Sequence, residues 1–189
     1  MRTLIAAALS LLVLAPFAHA DEDKPVYPLL INLLGGGYVD NIAHSPLSSS
    51  LQLAYGGALG YEFVHFEEME EFSSIAFQIH YDHSRVTSIL GANTVDTFLG
   101  QLTFRKVDGP LFYFGPEAGI VRIGQAPVIT VPEVGGLTGI EFPVSSQVTF
   151  GPEINVAYHF KGTGAANGTT YVVDGALTAK FLFVLSIHL

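Results

Sequence analysis

The feature that most constrains this chain is a strict alternation of apolar and polar side chains, clearest in QVTFGPEINVAYHFK. Val148, Phe150, Pro152, Ile154, Val156, Tyr158 and Phe160 fall on one parity. Gln147, Thr149, Gly151, Glu153, Asn155, Ala157, His159 and Lys161 fall on the other. Successive side chains of a β-strand point to opposite faces, so a period of two puts one wholly apolar face against one polar or small face. SLQLAYGGALGYEF repeats the pattern, with Leu51, Leu53, Tyr55, Leu59, Tyr61 and Phe63 on one side. Further stretches of this kind are VYPLLINLLGGGYVD, SSIAFQIHYDH, DTFLGQLTFRK, PLFYFGPEAGIV, EVGGLTGIEF and the closing TTYVVDGALTAKFLFVLSIHL, eight strands in all.

Helical membrane spans are not an alternative, since no stretch reaches the eighteen or so consecutive apolar residues that one requires. The amino terminus is set apart: MRTLIAAALSLLVLAPFAHA has Arg2, an apolar run from Leu4 to Leu14 and a small-residue site at Ala18, His19 and Ala20. This predicts a signal peptide over residues 1–20, cleaved before Asp21, and a single domain over 21–189. With no cysteine, the exported chain must hold together without disulfides. Eight Lys and Arg against 17 Asp and Glu exclude nucleic acid as a partner and adhesion to anionic surfaces. Only 13% of residues are charged, about half the usual share for a soluble domain.

Alternation alone admits both a barrel in lipid and a soluble, lipocalin-like barrel. The polar face decides in favour of lipid, because it is built from Gly, Ala, Ser, Thr, Gln and Asn rather than from Lys and Glu. Such small side chains suit a crowded narrow lumen, and Tyr27, Tyr55, Tyr61, Phe63, Phe104, Phe112, Tyr158 and Phe160 can form interfacial girdles. KVDGP and PVSS read as tight turns at one end, with EFVHFEEMEEF as an acidic connection beside them. HSRVTSILGANTV, GQAPVITVP and GTGAANG read as longer loops at the other end. FGPE occurs twice, at Phe114–Glu117 and Phe150–Glu153.

On these strands the chain resembles the small eight-stranded outer-membrane barrels of the OmpA, OmpX and OmpW type. The resemblance spans the mature sequence and is architectural. It implies an all-β, eight-stranded, antiparallel, up-and-down transmembrane β-barrel, contacts with outer-membrane lipid and lipopolysaccharide, and delivery by the barrel-assembly machinery. That machinery reads a last strand of alternating apolar residues, matched here by Phe181, Phe183, Leu185, Ile187 and Leu189, although Leu189 stands where the family has an aromatic.

With the apolar face outward, the lumen charges are Glu62, Arg105, Glu117, Glu141, Glu153 and Lys180. Buried charges need partners. If Phe160 faces Val173 across GTGAANG, Glu153 lies directly opposite Lys180, predicting an ion pair. IHYDHSR places His80, Asp82 and Ser84 on one face, the parts of a hydrolase triad, with His83 on the other. The barrel-type lipid A deacylases carry a His and a Ser two apart; here His188 has Ser186 two before it, the reverse order. A polar strand end is favoured over a triad, and these histidines converge poorly on one metal ion. Outward His83, Arg85 and Arg122 fall near strand ends, where lipopolysaccharide phosphates are within reach. The expected protein is a monomeric, non-enzymatic barrel of the bacterial outer membrane that needs no cofactor or metal. A role in envelope integrity leads, with passage of small apolar solutes allowed. A lipid-modifying enzyme and a soluble periplasmic binder are the alternatives.

The last strand yields a test. An outward Arg at the bilayer midplane costs about 2–4 kcal/mol, so Leu185→Arg should lower the folded, membrane-inserted fraction strongly and Ser186→Arg much less. Mobility of unboiled samples on gels measures both, and equal damage would refute the register.

Overall fold

A computed structural model of the chain describes residues 28–39, 52–65, 74–88, 91–107, 110–124 and 127–189. The leader (residues 1–20), Tyr27 and most of the acidic connection lie outside them. Ten strands follow one another: β1 (Leu29–Val39), β2 (Gln52–His65), β3 (Ser74–Ser88), β4 (Gly91–Val107), β5 (Leu111–Ile123), β6 (Ile129–Pro143), β7 (Val148–His159), β8 (Gly162–Ala166), β9 (Thr169–Val173) and β10 (Ala176–His188). Eight of them close a barrel in the order β1-β10-β7-β6-β5-β4-β3-β2, each antiparallel to both neighbours; β8 and β9 form a separate hairpin. Closure joins the first strand to the last, from Leu30 opposite His188 to Val39 opposite Ala179.

The alternation becomes a wall with two faces. Along β5 buried and exposed residues alternate from Leu111 to Ala118, and along β7 from Gly151 to His159. The exposed set is apolar: Leu33, Leu53, Leu59, Phe77, Ile79, Phe98, Phe112, Phe150, Ile154, Phe181 and Phe183 all face outward. Such a continuous band far exceeds what a water-soluble monomer exposes.

The repeated FGPE has one structural job performed twice. The ladder between β4 and β5 runs through Gln101↔Glu117 and resumes at Phe104↔Phe114, skipping Leu102 and Thr103 opposite Pro116 and Gly115. Between β6 and β7 it runs through Gly139↔Glu153 and resumes at Phe142↔Phe150, skipping Ile140 and Glu141 opposite Pro152 and Gly151. Proline has no N–H to give the ladder, and glycine lets the neighbouring backbone approach where a side chain would not fit. A Cβ on Gly115 would collide with the carbonyl oxygen of Leu102, and one on Gly151 with that of Ile140. Each motif thus pinches the wall against the preceding strand while its Glu enters the lumen.

Two expectations change at the opposite end. The last predicted strand is divided, because Asp174 and Gly175 separate β9 from β10. The longer loops are largely ladder: β3 and β4 stay paired to Ser88↔Gly91, and β6 begins at Ile129 within GQAPVITVP. The β8–β9 hairpin leans over the barrel mouth. Gly162 lies against Val131 and Ile129, and Gly164 against Ile129 and Pro127. Val173 packs on the buried cluster of Val95, Val121, Ile129 and Val131. That cluster and hairpin cap one end of the lumen with apolar groups.

The pinch can be tested with paired variants. Overpacking costs about 1–3 kcal/mol, so Gly115→Val and Gly151→Val should lower the urea midpoint of unfolding. Gly35→Val should not, because nothing lies within 4 Å of a Cβ there.

Candidate functional site

The buried polar side chains of the lumen are the candidate site, and they form a network rather than separate pairs. Lys180 on β10 is its centre. Its Nζ donates to Asp82 Oδ2 at 2.7 Å and to Thr97 Oγ1 at 3.1 Å, and lies 4.0 Å from Glu133 Oε1. His80 Nε2 meets the same Asp82 oxygen at 2.8 Å. On the other side of the ring, Gln101 Nε2 is 3.3 Å from His80 Nδ1 and donates to Glu117 Oε2 at 2.9 Å. Asn155 Nδ2 donates to that Glu117 oxygen at 3.2 Å. Side chains from β3, β4, β5, β6, β7 and β10 therefore meet across the lumen. Nearer the turn end, Asn32 Nδ2 donates to Gln78 Oε1 at 2.7 Å, Tyr113 OH to Glu153 Oε2 at 2.8 Å, and Ser186 Oγ to Glu141 Oε1 at 3.0 Å. Thr149 donates to Glu141 as well, and Arg105 Nη1 lies 3.6 Å from Glu62 Oε2.

The predicted Glu153–Lys180 pair is not formed. Lys180 stands opposite Asn155, and Glu153 opposite Leu182. The cause is the β8–β9 turn. Asn167 and Gly168 both take positive φ, at 51° and 76°, as the central residues of a two-residue hairpin turn. Pairing of Ala166 with Thr169 sets Gly162 opposite Val173, and the same register continues into Ala176 opposite His159. Placing Val173 opposite Phe160 moves the pairing by two residues. The Asn-Gly dipeptide was the available signal.

Glu133, 2% exposed, is a lumen residue that the sequence reading passed over, and parity could have found it, since it shares its face with Glu141. His159, also 2% exposed, lies on the polar parity with Glu153, as its place in the alternation indicates. Asp82 was singled out for the triad rather than as the partner of Lys180.

The triad parts do share the inner face, with His80, Asp82 and Ser84 at most 1% exposed. Their bonding differs from that of a hydrolase. Both ring nitrogens of His80 are engaged, by Asp82 and Gln101, and Ser84 Oγ has no hydrogen-bond partner among the described residues. A base–nucleophile hydrogen bond, the first geometric requirement of such a site, is not formed. Among the described residues no group of three His, Asp or Glu has the geometry to hold a metal ion.

Outside the barrel, His83 Nδ1 lies 2.8 Å from Asp96 Oδ1, which also accepts from Tyr81 OH at 3.1 Å. The rings of Tyr55 and His83 are 5.3 Å apart. Ladder register aligns Tyr55, His83, Asp96 and Arg122 in one row across β2 to β5. Arg85 and Arg122 are exposed.

No family model and no curated protein matches the chain. Among solved structures it is similar to Neisserial surface protein A, with a TM-score of 0.64 and 13% identity over 85% of this chain and 97% of that one. It also aligns with the outer membrane protein OprG from Pseudomonas aeruginosa, at a TM-score of 0.47 and 11% identity over 89% of this chain and 100% of that one. The fold is that of the small eight-stranded outer-membrane barrels.

Removing one partner of a buried pair strands the other, at about 3–5 kcal/mol. Lys180→Met should therefore destabilise the barrel strongly in urea unfolding. Adding Asp82→Asn should recover part of the loss, whereas adding Glu153→Gln should not.

Proposed function

We propose that this chain is a bacterial outer-membrane barrel with a non-enzymatic, envelope-integrity role, exported by its leader and spanning the bilayer as a closed, filled cylinder. The observation that carries the reading is the combination of an outward apolar band with a lumen occupied by mutually bonded side chains. A band of Leu, Ile, Phe and Val around a closed ladder suits lipid, in which every backbone polar group must be paired within the protein. A soluble binder would turn that band toward water. An eight-stranded lumen holds little beyond its own side chains, and here they are tied together and capped by Val95, Val121, Ile129 and Val131. This supports a plug rather than a water-filled pore.

Passage of small apolar solutes is the second reading, and one observation favours it. An apolar notch lined by Phe112, Thr138, Gly139, Ile140, Pro152 and Ile154 opens on the outer face where FGPE interrupts the β6–β7 ladder. A lipid-modifying enzyme is less well supported, because His80 and Asp82 are bonded to one another inside the wall while Ser84 Oγ is bonded to neither.

Fractionation and conductance test the proposal together. The protein should stay in the membrane after a carbonate wash, shift in mobility on unboiled gels, and give no steady ion conductance in planar bilayers. Release into the soluble fraction would overturn it in favour of the periplasmic binder, and a steady open-channel current would overturn the filled lumen.

A further inference from the structure

We propose that Arg85 and Arg122 form the two arms of an external site for the phosphate of an outer-leaflet glycolipid headgroup. The inference rests on the outer-membrane reading above.

The place of the two arginines in the wall is the first argument. On β3 the outward positions run Phe77, Ile79, Tyr81, then His83 and Arg85; on β5 they run Phe112, Phe114, Pro116, Ala118, Ile120, then Arg122. Each Arg therefore stands just past the apolar run of its own strand, where the cost of an outward charge falls toward zero and phosphates lie. Both arginines belong to the end carrying the β3–β4 and β8–β9 extensions, which the proposed orientation places outside the cell.

Their mutual geometry is the second. Arg85 is opposite Thr94 on β4, and Gly124, the residue just past β5, donates its N–H to Thr94 O at 3.0 Å. Arg122 lies two residues before Gly124. Two strand spacings and one two-residue step separate the arginine Cα atoms by about 12 Å, within the combined reach of two arginine side chains. On the intervening β4 stand Thr94, whose hydroxyl donates to Gly124 O at 3.4 Å, and Asp96, whose Oδ1 is held by His83 and Tyr81.

Charge is the third. Asp96 stands opposite Arg122 in the ladder, but its Oδ1 is taken by His83 and Tyr81. Neither arginine forms an ion pair among the described residues, and His83 adds a donor beside them on β3. A guanidinium matches a phosphate with two parallel hydrogen bonds, which favours a phosphate monoester over a zwitterionic headgroup.

Native mass spectrometry of the folded barrel in detergent, titrated with bisphosphorylated lipid A and with the same lipid stripped of its phosphates, tests the site. The intact lipid should bind at least about tenfold more tightly than the stripped one, as two charge-assisted contacts imply. Arg85→Gln with Arg122→Gln should erase that difference, while Lys106→Gln, at the other end of β4, should leave it. Equal binding of the two lipids by the unaltered protein, or an undiminished preference in the double variant, would overturn the proposal. A barrel that folds and stays in the membrane yet shows no preference refutes this site alone; one that leaves the membrane refutes the reading beneath it.

Discussion

Everything in this structure depends on closing the ladder between β1 and β10. Leu29 and Leu189 exchange backbone hydrogen bonds at 3.1 and 2.9 Å, so the first and last strands leave no open edge at the seam. In an apolar surround an unpaired N–H or C=O costs several kcal/mol, and only a closed sheet avoids that cost along its length. Closure also fixes what each parity means: one set of side chains must face out and the other must share a narrow interior. The exposed Leu and Phe and the buried Glu, Asp and Lys are two sides of this one constraint.

A narrow interior then sets its own rules. Large side chains such as Tyr38, Leu99 and Leu182 fit beside inward glycines, and Gly56 and Gly119 bring neighbouring backbones closer than a side chain would allow. Charges that enter must be bonded, because the wall excludes bulk water. Among the described residues, six inward carboxylates, Glu62, Asp82, Glu117, Glu133, Glu141 and Glu153, share the lumen with two basic side chains, Arg105 and Lys180. Asn, Gln, Thr, Tyr and His side chains bond one oxygen of several of these carboxylates and link the strands across the lumen, while Asp82 Oδ1, Glu117 Oε1, Glu133 Oε1 and Glu153 Oε1 have no hydrogen-bond partner among the described residues. The network thereby specifies which strands lie opposite one another, a task that the outward-facing leucines cannot perform.

Much of this was legible in the residues, for a physical reason. Strand parity is a local property, so the inward placement of Glu117, Lys180 and Asp82 follows from counting along one strand. Partners across the barrel are not local. Lys180 reaches Asp82, 98 positions away, only because closure carries β10 round to face β3, and no alternation announces that distance. Register lies between these cases: Asn167–Gly168 encodes it, but the same residues also read as part of the longer loop GTGAANG. The pairing of Glu153 with Lys180 failed by two residues on that turn alone. FGPE is the converse, a short repeat whose meaning appears only when Leu102 and Ile140 are seen opposite its Gly-Pro pairs.

The central claim is that one parity of each strand faces lipid while the other packs into a dry, bonded lumen. Because the chain has no cysteine, single cysteines can be placed from residue 181 to 187 of β10 and spin-labelled. Accessibility of each label to oxygen and to a water-soluble paramagnetic nickel reagent reads both faces at once. The account predicts oxygen access at positions 181, 183, 185 and 187, and access to neither reagent at 182, 184 and 186. Strong access of the nickel reagent at the even positions would contradict it, because the lumen would then be an open aqueous channel.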